Sequence, residues 1–385
     1  MQDVINRIRD ELRAAAFDAL LIFGSDNVQY LSRLRMPYLQ SYSDKITALI
    51  WPRIGEPVMV CPARCKDTFR RLSMVKRIIG YVEGAESPID TVVKEVKATV
   101  RSNRRIGIDI LRTSSALFEN LDQMLTGYEL SPCDELLKKL RSLKTHDEME
   151  LLQDVAYRAD HGIFGAAHHV LVTSHRSEMS LSEEIRIHCM ERGLDVVGFN
   201  SVSQVASGEH ARKFWPLAPN YGIGYDKPLK PEEYVRMEVK ASMDGYWSDA
   251  ARLMTQGEPT PQQKDAYNGL VFLRKKAMEY LRPGSRCSDV YRAVKAEAMK
   301  RNIELLDGLV VGHGIGVTDY EPPYLSASDD TELKPGMVLV VDPVIRGPDG
   351  EILRSKDTVV VTGDGCRLVG WYKDWREPYI ANYTL

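Results

Sequence analysis

The stretch VGHGIGVTDYEPPYL at residues 311–325, followed by LKPGMVLVVDPVI at 333–345, carries most of what this sequence says about its fold. One histidine, His313, stands in a glycine-rich turn that leads into a Pro-Pro break. A strand-like apolar run comes next, with a single carboxylate, Asp342, set inside it. A charge in such a run is costly unless a partner pairs with it or a reaction uses it. A placed histidine near a costly carboxylate marks a polar site built into a core.

Working outward from that site, 385 residues exceed the usual size of one domain, so two are expected. The first portion alternates helical and strand patterns. A helix to about residue 17 is followed by strand-like segments at 19–24, 46–52 and 56–62. Helical segments at 65–74 and 87–101 follow, and then the strand RIGIDI at 105–110. This predicts an α/β domain over 1–133. The charged stretch 134–171 reads as a long helical stretch, the joint between the domains plus the first helix of the second, which spans 134–385. There the strand-like segments at 196–206, 234–254, 306–316, 336–345 and 355–363 are separated by two helices, 261–281 and 287–300. That order predicts an α+β domain, an antiparallel sheet with helices on one face.

Composition narrows the class of function. A net charge of −3 gives no reason to expect nucleic acid or an acidic membrane as partner. Hydrophobic content of 44% and charged content of 27% are those of an ordinary globular protein. The start, MQDVINRIRDELRAAAF, is an amphipathic helix pattern without the apolar core of a signal peptide. No apolar run is long enough to span a bilayer. Six scattered cysteines lack metal-type pairing and suit a reducing compartment, so a cytoplasmic location is expected. His168 and His169 are adjacent on a helical pattern and point about 100° apart, which argues against a metal pair.

Several ordered segments then match one known pattern. ASGEHARKFWP (206–216), EVKASMDGYWSDAARL (238–253), GHGIGVTDYEPPYL (312–325), LKPGMVLVVDPVI and LRSKDTVVVT (353–362) resemble the creatinase, prolidase, aminopeptidase P and methionine aminopeptidase family. NVQYLSRL (27–34) resembles that family's N-terminal domain. The resemblance covers nearly the whole chain and implies the "pita-bread" fold for the second domain. It also implies that two aspartates, one histidine and two glutamates would hold a pair of divalent ions. The matching positions here are Glu238, Asp249, His313, Asp342 and Lys356. Lys356 departs decisively, because an ammonium has donors only and cannot bridge two metals. Trp215 and Tyr320 stand where the family places histidines that bind substrate or shuttle protons, and neither replaces imidazole.

These departures predict a site whose cation is Lys356, with no metal and no other cofactor. The function expected is a creatinase-like, metal-independent hydrolase cleaving a C–N bond in a small, cationic nitrogen compound. Glu238 or Asp249 would be the general base or nucleophile and His313 the acid to the leaving nitrogen; Lys356 would orient the carboxylates. Asp342 could equally be a structural partner of Lys356. Trp215, Tyr320, His210 and Arg35 are the candidate substrate contacts, Arg35 lying in the turn at 30–42 with Arg33 and Tyr38. In the family that turn often serves a second protomer, which implies a homodimer. Three alternatives stand beside this expectation: an Xaa-Pro peptidase with one divalent ion, a lyase of the same fold, and a non-catalytic binding module.

Overall fold

The computed structural model describes residues 2–34, 45–101, 104–172, 177–195, 202–213, 227–370 and 379–381. Internal contacts divide the chain into two compact units, Met1–Arg141 and Ser142–Leu385.

The first unit is built on a six-stranded sheet of mixed direction. Its strand Ala19–Ile22 runs antiparallel to Ala48–Pro52 on one side and parallel to Arg105–Ile108 on the other. Period-2 alternation puts Ala19, Leu21, Ile50, Val58, Val60, Ile106 and Ile108 into one core. Val92, Val93 and Val96 of the helix Pro88–Thr99 close over it. Ser87 caps that helix by accepting from the Asp90 amide at 3.1 Å, with Pro88 at its first position. The α/β alternation expected for this portion is the one found, with the additional strand Arg77–Tyr81 at the sheet edge.

The second unit holds, among the described residues, two larger sheets and the two-stranded pair Val344–Arg346 and Ile352–Arg354. One is dominated by the hairpin Tyr234–Met243 and Tyr246–Gln256, turned by Asp244 and Gly245, both left-handed (φ 52° and 81°). An Asp-Gly pair in that conformation matches the twist of the strands it joins. Odd residues of the first strand, Val235, Met237, Val239 and Ala241, pack with Ala159, Ile163, Leu181 and Ile185 of the helices His146–Val172 and Glu178–Glu191. Even residues Arg236, Glu238 and Lys240 occupy the opposite face. The other sheet is fully antiparallel in the order Glu321–Tyr324, Gly312–Gly314, Val338–Val341, Asp357–Val361, Cys366–Val369. Leu339, Val341, Val359 and Val361 pack against the helices Pro261–Tyr280 and Cys287–Lys300. This is the α+β arrangement expected from the sequence.

Three local expectations are sharpened or corrected. The helical stretch expected over 134–171 is two helices, Asp134–Ser142 and His146–Val172. Leu143 bridges to Met337 and Lys144 donates its amide to the Gly336 carbonyl at 2.9 Å, which takes 143–145 out of helical pairing. Pro322-Pro323 does not break the chain's extended course but lies in the edge strand Glu321–Tyr324, where missing amide donors do little harm. The helix Glu178–Glu191 was not expected at all; it is closed by a capping box at Ser177 and Ser180.

Candidate active site

The two sheets meet at a bridge between Ala251 and Lys356, whose amide donates to the Ala251 carbonyl at 3.1 Å. Strand register places Lys240 opposite Asp249 and Glu238 opposite Ala251. His313 pairs with Val340, and Val340 with Thr358, two residues from Lys356. Alternation in both sheets therefore turns Glu238, Asp249, His313 and Lys356 toward one another. A Cβ on Gly314 would lie 2.5 Å from the Pro322 carbonyl oxygen, so the histidine turn needs glycine there to pass the edge strand.

Every carboxylate of this cluster has a cation against it. Lys356 Nζ donates to Asp249 Oδ1 at 2.6 Å and lies 3.3 Å from Glu238 Oε2. Arg354 Nη1 donates to the same Glu238 oxygen at 3.1 Å, and Arg236 Nε lies 3.0 Å from Oε1. Arg354 also clasps Asp342, its Nε 2.7 Å from Oδ1 and 3.0 Å from Oδ2, with Nη2 on Oδ2 as well. Lys240 Nζ donates to Asp319 Oδ2 at 2.6 Å. Burial alone would push the Glu238 carboxyl up, but Arg354, Lys356 and Arg236 outweigh it and hold it down at about 2. Asp249 is likewise held well below the carboxylate range, burial being overcome chiefly by Lys356 and Lys240. Burial opposes the Arg354 charge, yet Asp342 and Glu238 raise that guanidinium above its ordinary value.

His313 is fully buried. Its Nδ1 lies 2.9 Å from the Gly314 carbonyl, which can only accept, so Nδ1 carries a proton. Nε2 then faces Asp249 Oδ2 at 3.3 Å and has no hydrogen-bond partner among the described residues. In a neutral imidazole two lone pairs would confront each other there, an arrangement that invites a proton or a metal cation between them. Tyr320 packs beside this histidine in a tilted arrangement with ring centroids 4.2 Å apart, and Tyr324 stacks on Tyr320 at 5.2 Å. Tyr320 is 45% exposed and forms an aromatic wall.

The structure thus brings together Glu238, Asp249, His313, Asp342, Lys356 and Tyr320. His210 is engaged by Glu178, 2.8 Å from its Nδ1. Trp215 and Arg35 lie outside the described residues. Arg236, Lys240, Asp319 and Arg354 were not singled out from sequence, although Arg236, Glu238 and Lys240 share one strand face at period 2, as do Arg354 and Lys356 in LRSK.

Residues 152–363 match Metallopeptidase family M24, and residues 5–143 match the Creatinase/Prolidase N-terminal domain. The chain belongs to metallopeptidase family M24. It has the two-domain architecture of that family, with the pita-bread domain second, and is a hydrolase acting on carbon–nitrogen bonds. YkvY of Bacillus subtilis is 26% identical over 369 residues, 96% of this chain and 97% of its own. Among solved structures, the X-Pro aminopeptidase of Thermotoga maritima superposes with a TM-score of 0.81 at 17% identity, covering 97% of this chain and 99% of its own. The Xaa-Pro dipeptidase of Bacillus anthracis gives 0.79 at 22%, covering 98% and 99%.

Membership in a metallopeptidase family, with neighbours of this kind, overturns the expected metal-independent, creatinase-like hydrolase and the expected absence of a cofactor. The expected cationic substrate falls for a separate reason. It rested on a negative excess, but Arg236, Lys240, Arg354 and Lys356 balance Glu238, Asp249, Asp342 and Asp319.

The donor set can be tested against the family's ions. A two-ion centre does not fit, because Lys356 Nζ lies between Asp249 and Glu238 and Arg354 takes both oxygens of Asp342. One ion fits at a narrower place, between His313 Nε2, unpartnered among the described residues, and Asp249 Oδ2, the carboxylate oxygen that Lys356 does not hold.

Proposed function

We propose that the chain is a peptidase of short Xaa-Pro substrates that takes a single divalent ion, held by Asp249 and His313. The observation that carries this is His313 Nε2, buried, without a hydrogen-bond partner among the described residues and 3.3 Å from Asp249 Oδ2. Family membership and the Xaa-Pro peptidases among its structural neighbours support the substrate class. A bound ion would supply Lewis-acid polarisation of the scissile carbonyl and a more acidic water. The chain's own residues do the rest. Lys356 fixes the Asp249 carboxylate through Oδ1 and leaves Oδ2 turned to the imidazole. Arg354 spans Glu238 and Asp342 and keeps both carboxylates in place. Tyr320 and Tyr324 offer flat faces against which a proline ring packs.

The test is turnover of Xaa-Pro dipeptides against the same dipeptides without proline, with metal content measured in parallel. We expect cleavage of the proline substrates, loss of activity on chelation, and loss of one ion from this site in His313→Ala. Turnover that ignores a chelator, or no cleavage of Xaa-Pro peptides with any divalent ion added, would overturn the proposal.

A further inference from the structure

A second group of ligand-type side chains lies away from the buried cluster, where the helices His146–Val172 and Glu178–Glu191 pack together. His169 Nδ1 is 2.8 Å from Glu184 Oε2, and His188 Nε2 is 3.7 Å from that same oxygen. One ligand atom from each of the three lies within 4.8 Å of the others, the single such grouping of three or more among the described residues. Glu184 and His188 stand four residues apart, one helical turn, and so project from one face. The partner helix brings His169 to that face, and their rings meet edge-on with centroids 6.0 Å apart.

The geometry points to a divalent zinc site formed by His169, Glu184 and His188. Two imidazole nitrogens and one carboxylate oxygen are a zinc donor set, with a fourth position left for water. A tetrahedral ion with bonds of about 2.0–2.2 Å needs donors about 3.3 Å apart; the two to Glu184 are 2.8 and 3.7 Å, and all three lie within 4.8 Å, so a small rotamer adjustment brings them into place. The platform is firm, since Ala159, Ile163 and Ala166 pack against Leu181, Ile185 and Cys189. The helices approach so closely that a Cβ on Gly162 would sit 2.4 Å from Cys189 Sγ.

Surrounding charges tune the donors. Glu191 Oε2 lies 3.5 Å from His188 Nδ1, on the side away from Glu184, where a carboxylate orients a metal-bound imidazole. Arg192 Nη1 also lies 3.2 Å from that Nδ1 and must yield it when Nε2 binds metal. Burial first, and Arg192 second, hold His188 below the ordinary imidazole value, which favours the neutral ligand form. Metal at His169 Nδ1 requires the neutral imidazole with its proton on Nε2, and binding changes no oxidation state. The ion would clamp the two helices that back the strand bearing Glu238.

The test is calorimetric titration of Zn²⁺ into the full chain after chelator treatment, comparing wild type with the double variant His169→Ala/His188→Ala. One equivalent should vanish in the double variant and persist in His313→Ala, which separates this site from the buried one. Glu191→Gln should keep the equivalent with affinity weakened about tenfold. An unchanged number of equivalents and unchanged affinity in the double variant would overturn the proposal. Co²⁺ added to His313→Ala gives a second readout that does not depend on the double variant folding. Four-coordinate visible absorption is expected there, and its absence counts against the site.

Discussion

The two faces of the strand Tyr234–Met243 differ as sharply as any two regions of this molecule. Val235, Met237, Val239 and Ala241 are fully buried against helices, with no polar atom to satisfy. Arg236, Glu238 and Lys240, on the same backbone, are all tied into ion pairs. The apolar face tolerates loss of shape gradually, since each removed methylene costs its own increment. The charged face is all-or-none, because removing one partner strands another charge in the core.

The largest predicted effect breaks the charged face. Lys356→Met leaves Asp249 and Glu238 without their shared ammonium and should cost about 3–5 kcal/mol in denaturant unfolding. Against it, Met237→Ala opens a cavity on the apolar face and should cost about 2–5 kcal/mol, with activity of the folded fraction retained. Should Lys356→Met prove neutral, the contrast between the faces is lost. Tyr246→Phe removes the hydroxyl that donates to Glu148 Oε1 at 2.6 Å, with an expected cost of about 1–3 kcal/mol.

Acid tests the same contrast without mutation. Glu238 titrates near 2 in the fold against an ordinary value of 4.5. Its pairing therefore contributes fully above about pH 4.5 and is lost as pH falls toward 2. Stability measured across that window should fall in wild type. In Lys356→Met the decline should begin at higher pH, because Glu238 has lost one of the cations that hold its carboxyl down. The smallest effect concerns the aromatic wall: Tyr320→Ala should raise KM for proline substrates with little change in stability, and an unchanged KM would remove Tyr320 from the substrate surface.

Much of this was legible in the sequence, for reasons that differ by residue. His313 and Asp342 stand out as polar residues in a glycine-rich turn and an apolar run, whereas Glu238, Asp249 and Lys356 were reached only through the family resemblance. The turn at Asp244-Gly245 was passed over, 234–254 being read as one strand-like segment, but the core of the first unit shows in its alternating strands. Arg354 and Arg236 were missed because an arginine in a single sequence reads as surface charge. Only the strand register shows that Arg354 reaches both Asp342 and Glu238. The break at 143–145 was invisible because Met337, the partner of Leu143, lies far along the chain. His169 looked incidental beside His168, and its neighbours Glu184 and His188 come from a helix that the pattern did not reveal. Trp215 and Arg35 fall outside the described residues.

The bridge between Ala251 and Lys356 has a consequence for how the protein acquires its activity. Lys356 and Asp249 are 107 residues apart in sequence, and they meet only after the hairpin and the five-stranded sheet have both formed. Contacts of such long range close late in folding. A nascent or partly folded chain would hold Asp249 and Glu238 as repelling neighbours, with the ammonium still distant. Catalytic competence would then arrive as the final event of folding, which makes recovery of activity a stringent clock for complete refolding.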